Sequence, residues 1–226
     1  GLTNGILTSG SGLWNDGRAA NFTNLDDSIP HFAWSNAGNA GDSVVFGGTG
    51  GTAPFTVTIA AGGITAAGVQ FDTLGYTLTG GTLNLGAAGT IVTNVDGAVN
   101  SIIAGNGLAS TGAGTLLLRG ANTFTGAYTI GAGTTVIAAN NAALGATGAG
   151  NETIVNSNGT LDVGGSVFGA ERTRISGNGV GGIGALTNSG ANLTTANDIQ
   201  FLTLNGSASV NAQGQYSPNL GSGTGT

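Results

Sequence analysis

The chain has no cysteine, no methionine and no lysine, and only 3 of its 226 residues are proline. Without cysteine there are no disulfides, no thiolate nucleophile and no thiolate metal site, so stability must come from elsewhere. Without lysine there is no P-loop, whose lysine reaches the nucleotide phosphates. Charged residues make up 6 % of the chain, where about 25 % is usual. The cations are Arg18, Arg119, Arg172 and Arg174, set against ten acidic residues for a net charge of −6. Nucleic acid is excluded by that balance, because neutralising phosphates takes clustered arginine and lysine. A polybasic membrane patch is excluded for the same reason. There is also no apolar run of the roughly 20 residues that a spanning helix needs.

What the chain has instead is glycine, 46 residues of it, together with threonine, asparagine and a hydrophobic fraction of 39 %. That apolar content separates it from a disordered polar chain. The glycines follow no three-residue period, which removes a collagen-like reading. One elongated domain is expected. The chain opens on Gly1 and not on Met, so a processed or partial chain is expected.

Short strand candidates recur from residue 43 onward: Val44-Val45-Phe46, Phe55 to Ile59, Val69-Gln70-Phe71, Tyr76-Thr77-Leu78, Leu83-Asn84-Leu85 and Ile91-Val92. The series goes on with Ile102-Ile103, Leu116 to Leu118, Tyr128 to Ile130, Val136-Ile137, Thr153 to Val155, Leu161 to Val163 and Ile199 to Leu204. Several alternate apolar and polar residues, as strands with one buried face do, and no segment carries a helical period with caps. Glycine or asparagine bounds most of them, so the chain bends sharply after each strand. A Gly-Thr strand motif recurs at Gly81, Gly114, Gly133 and Gly159 in unequal steps, which fits coils with loops of varying length better than a fixed-period array. The predicted fold is all-β, a parallel β-solenoid, with a β-sandwich as the alternative.

Three regions are expected. Residues 1–40 hold both tryptophans, the lone histidine and an acidic pair, and read as an end cap or a subunit contact, with Trp14, Phe22, Phe32 and Trp34 as the assembly residues. Residues 41–210 read as the solenoid. Residues 211–226 read as a tail or cut end.

The most specific stretch is a turn cassette, Gly120-Ala121-Asn122-Thr123-Phe124-Thr125-Gly126, followed by Tyr128-Thr129-Ile130 and by Gly133 to Ile137. Gly120, Asn122, Gly126 and Gly133 are its candidate turn residues. With Gly114-Thr115-Leu116 before it, and Asn141 to Gly145 and Gly159 to Val163 after it, this stretch resembles the passenger-associated β-helix repeat of autotransporter-type bacterial surface proteins. Trp34 to Gly47 and Arg172 to Leu186 resemble the flanks of that repeat. The resemblance implies a right-handed parallel β-helix displayed outside the cell. It brings no catalytic residues, since that family shares none.

Other motifs are weaker. Gly177-Asn178-Gly179-Val180-Gly181-Gly182 matches a phosphate fingerprint in letters, but the expected βαβ context is missing. Asp26-Asp27-Ser28 with His31 has hydrolase residue types in what reads as a solvated loop. Asp72, Asp96, Asp162 and Asp198 are isolated and read as turn or outward strand residues. Phe124 and Tyr128 read as one ring inside the coil and one on its surface. Sequons at Asn21, Asn151, Asn158, Asn192 and Asn205 follow from the composition.

The functional expectation is an extracellular structural protein that self-associates into a filament, sheath or surface layer. The alternatives are an adhesin or passenger stalk and, remotely, a polysaccharide-active enzyme. No enzyme activity, cofactor or metal is expected; the expected partners are copies of the chain itself and surface or matrix glycans.

Overall fold

A computed structural model describes residues 9–17, 20–22, 32–190, 199 and 201–212. Strands dominate it, and they are numbered β1 to β20 along the chain. One sheet runs in the order β1 (Gly12–Trp14), β5 (Phe55–Ile59), β8 (Tyr76–Gly80), β10 (Gly97–Val99), β12 (Thr115–Leu118), β14 (Thr135–Ala138), β16 (Thr160–Asp162), β18 (Leu186–Asn188) and β20 (Val210–Ala212). The second runs β4 (Ser43–Phe46), β7 (Gly68–Phe71), β9 (Leu83–Thr93), β11 (Ile103–Thr111), β13 (Thr125–Ile130), β15 (Thr153–Val155), β17 (Arg172–Gly177) and β19 (Phe201–Ala208). From β4 onward the chain alternates between the two sheets and every pairing is parallel. That is a β-solenoid of parallel strands, as the alternation and turn chemistry predict.

Register shows how the coil advances. Gly97 lies opposite Leu116, Leu116 opposite Val136, and Val136 opposite Leu161. Each turn therefore takes roughly 20 to 25 residues, and the longer ones carry the larger loops. β9 and β11 each span a corner, with a register shift between Ala104 and Asn106 where Gly105 sits. The first half of β9 pairs with β6 (Ile64–Thr65) and the second half with β7, which adds a short third face.

The core is a set of stacked columns. Val44, Val69, Ile91, Ser110, Ile130, Val155, Ile175 and Leu204 follow one another in register down the second sheet. Val57, Leu78, Val99, Leu118 and Ala138 do the same in the first. Nearly all are fully buried. Each large aliphatic side chain taken from water contributes about 1.5–3 kcal/mol, so stacking supplies the stability that disulfides do not.

The two ends are built differently. At the N-terminal end β1 already pairs with β5, so the first sheet begins inside the segment read as a cap. β2 (Ala20–Phe22) and β3 (Phe32–Ala33) form an antiparallel pair there. Trp14 packs edge-on to Trp34 at 5.3 Å and against Phe46 at 5.7 Å, and Phe22 meets both tryptophans, at 5.7 and 5.4 Å. At the C-terminal end, Leu204 and Val210 continue the inward columns yet are 60 % and 45 % exposed. Among the described residues no strand pairs with the outer edge of β19 or β20. Among the described residues no helix is long and apolar enough to cross a membrane.

Candidate functional site

Trp14 and Trp34, expected as assembly contacts, are 1 % and 2 % exposed. Their rings fill the first turn from within, with Phe22 packed against them; Phe32 enters through its backbone, opposite Phe22 in β3. An aromatic that closes the end of a coil and one that faces a partner look alike in sequence. The tryptophan indoles are core residues of the described chain.

The turn cassette has a specific mechanical role. On the third face, the Ile64 N–H donates to the Thr82 carbonyl and the Leu83 N–H to the Ile102 carbonyl. One turn later the Ile103 N–H donates at 2.8 Å to Oδ1 of Asn122. The buried asparagine side chain thus stands in for a backbone carbonyl, and its Nδ2 donates to the Ala143 carbonyl at 2.7 Å. One side chain spans three successive turns, satisfying groups that burial would otherwise penalise. Asn36 works the same way near the N-terminal end, accepting from the Thr65 N–H and donating to the Gly63 carbonyl.

Gly120 is required by proximity, because a Cβ there would collide with the Ser101 carbonyl. Gly126 is required by conformation: its φ is 75°, and its N–H donates to Asn151 Oδ1 at 2.7 Å. Gly133 donates its N–H to the Asn158 carbonyl in the turn before β14. All four cassette residues therefore serve the turns themselves.

Phe124 and Tyr128 correct the reading of one ring inside and one outside. Both are buried, at 2 % and 0 % exposure, in an edge-on pair 5.6 Å apart. The Tyr128 hydroxyl bonds Ser110 Oγ at 2.8 Å, which pairs the one polar member of its column. Burial pushes the phenol pKa up, against a smaller opposing pull from Ser110. Neither ring is a sugar platform.

Glu171 is the group that sequence reasoning missed. It is fully buried on the inward side at the start of β17, with Oε1 accepting from Thr153 Oγ1 at 2.8 Å. Its Oε2 has no partner, nor does Oγ1 of Thr173, the next inward residue. Desolvation raises its pKa to about 7, against hydrogen bonds from the Thr153 side chain and backbone. Ala170-Glu171-Arg172 reads as exposed polar sequence, so nothing local signalled the burial.

The remaining candidates do not converge. Asp26, Asp27, Ser28, His31 and Asp198 lie outside the described residues. Gly177 to Gly182 leads only into a three-residue 3-10 turn, Val180–Gly182, which is no phosphate-binding helix. Asp162, the buried last residue of β16 and so neither a turn nor an outward residue, accepts the Gly164 and Ser189 N–H groups at Oδ1, and Asp96 accepts the Thr115 N–H from its turn. No group of three or more metal-ligating side chains occurs among the described residues.

On the outer face of the second sheet, Arg172 and Arg174 alternate with buried Thr173 and Ile175. The Arg172 guanidinium lies 4.7 Å from the centre of the Phe201 ring. Glu152 sits nearby, its pKa lowered mainly by backbone N–H groups and further by the two arginines.

Comparison with known proteins gives one similarity at this level. Over 121 residues, 52 % of this chain, it is 45 % identical to the adhesin BmaC autotransporter of Brucella suis biovar 1 (strain 1330). The match covers 3 % of that much longer protein. No family model matches, and no solved structure matches. The similarity and the β-solenoid agree with the resemblance to the passenger-associated β-helix repeat.

Proposed function

We propose that this chain is a segment of the passenger of a bacterial surface adhesin, a stiff solenoid that holds contact surfaces away from the cell. The observation that carries this reading is the 45 % identity to an autotransporter adhesin. An uninterrupted parallel ladder whose side chains are spent on packing and turn geometry supports it. Such a coil is quasi-one-dimensional: each turn contacts only its neighbours, and length can grow without redesigning a core. Low charge density and a threonine- and asparagine-rich surface suit an extracellular setting. In this reading the chain has no catalytic task.

The test is display. Intact cells making the whole protein are probed with an antibody to this segment, before and after mild surface proteolysis. Labelling that proteolysis removes supports the reading; an epitope reached only after lysis defeats it.

Self-association is a second reading, and the apolar residues that lie exposed on the last strands among the described residues favour it. β19 and β20 contain no charged residue, and Leu204 and Val210 lie exposed along them. An exposed apolar edge without a charge to blunt it is a template for pairing with another chain. Sedimentation across a concentration series, beside electron microscopy, decides it: regular filaments support assembly, and dispersed short rods at every concentration reject it.

A further inference from the structure

Two of the four arginines of this acidic chain stand side by side on one exposed strand. Arg172 and Arg174 are both exposed, two residues apart in β17 and so about 7 Å apart along the sheet. Phe201 lies opposite Arg172 and Thr203 opposite Arg174 on β19, and both are exposed. The Phe201 ring is 40 % accessible, with the guanidinium 4.7 Å from its centre. No ion pair among the described residues occupies either arginine. Glu152 carries an opposing charge that both arginines feel, but backbone N–H groups do most to hold it ionised.

We propose that Arg172, Arg174 and Phe201 form a contact surface for an acidic polysaccharide whose sugars carry carboxylates. The inference rests on the adhesin reading and gives it a partner class. The chemistry is direct. A guanidinium offers two parallel N–H donors that match a carboxylate, while the part of the Phe201 ring left open beside the Arg172 guanidinium takes the apolar side of a sugar ring. Two arginines are too few for nucleic acid, which needs many phosphate contacts, and too few for an anionic membrane, which takes clusters of four or more. The net charge of −6 does not cancel the pair, because at physiological salt charges beyond about 8 Å are screened. Position helps as well. A further strand added to the edge of β19 would lengthen this face without covering it.

The test uses immobilised polygalacturonate, with dextran as the neutral control and dextran sulfate as the sulfated one. Wild type is compared with Arg172→Gln/Arg174→Gln, Phe201→Ala and Arg119→Gln, after circular dichroism confirms a common fold. Expected are binding to polygalacturonate but not dextran, a loss of about tenfold or more in the double variant, a smaller loss for Phe201→Ala and no change for Arg119→Gln. Three results overturn the proposal: no binding by wild type, binding to dextran sulfate only, or a double variant that binds like wild type. Adherence by cells displaying the whole protein is measured in parallel. Cells that adhere while the wild-type chain shows no polygalacturonate binding sink this inference and leave the adhesin reading standing; absence of the segment from the cell surface sinks that reading instead.

Discussion

The first and last turns of this solenoid are made by the same rules and end differently. At the N-terminal end the inward column runs into Trp14, Trp34 and Phe22, and the Asn36 side chain pairs the Thr65 N–H and the Gly63 carbonyl. At the C-terminal end the inward column stops at Leu204 and Val210, both exposed, with the edges of β19 and β20 bare among the described residues. Within the described residues, aromatic side chains fill the N-terminal turn, whereas the last inward residues of the C-terminal turn are exposed. A parallel coil therefore has a direction, and its energetics differ at the two ends.

The sharpest way to break the contrast is to unplug the closed end. Trp14→Ala removes a buried ring from the aromatic cluster and should cost about 3–5 kcal/mol. Because turns couple mainly to neighbours, the loss should concentrate in β1 to β7 and leave β12 to β16 protected, as hydrogen exchange would show. Uniform loss along the coil would argue against one-dimensional coupling.

The next effect concerns the turns leading to the open end. Glu171 is more easily protonated in the folded chain than in the unfolded one, so the folded state binds the extra proton. Its stabilising contribution is complete below the unfolded value of 4.5 and is lost as pH rises through about 7. The change is on the order of 3 kcal/mol. Urea midpoints should fall from acid to neutral pH, and Glu171→Gln should flatten the profile and be the more stable protein above about pH 8. A wild-type profile that rises over this window contradicts the buried, orphaned carboxyl.

Asn122→Ala strips the middle of the coil of its carbonyl stand-in, leaving the Ile103 N–H and the Ala143 carbonyl unpaired. The expected cost is about 2 kcal/mol or more. Urea titration measures it, and a neutral outcome would mean that backbone alone carries the ladder there. Smallest in stability is Leu204→Lys with Val210→Lys, expected within about 0.5 kcal/mol of wild type. Yet it should abolish any concentration-dependent association seen by sedimentation, since charge blunts an edge strand.

Much of this was legible in the chain. β5 and β8 announce themselves by alternation; of the Gly-Thr motifs, those at Gly114 and Gly159 fall in register on the first sheet, the one at Gly133 is offset by a residue, and the one at Gly81 leads into β9 of the second sheet. β10 did not, because Gly97-Ala98-Val99 has little apolar pattern; Gly97 is small since the Phe71 ring lies where its Cβ would go. β9 joins what read as two strands, because its glycine corner keeps the ladder going. The cassette was visible as a turn, but no local rule says that Asn122 bonds turns on either side. The burial of Trp14, Trp34 and Glu171 was not legible for a common reason: burial in a coil is set by what stacks on a residue, far along the chain.

Hydrogen exchange of the wild-type chain, read turn by turn, tests the asymmetry most directly. The account predicts strong protection from the aromatic plug through the central turns and the weakest protection in β19 and β20. Equal protection at both ends, or an N-terminal end that exchanges first, would contradict it.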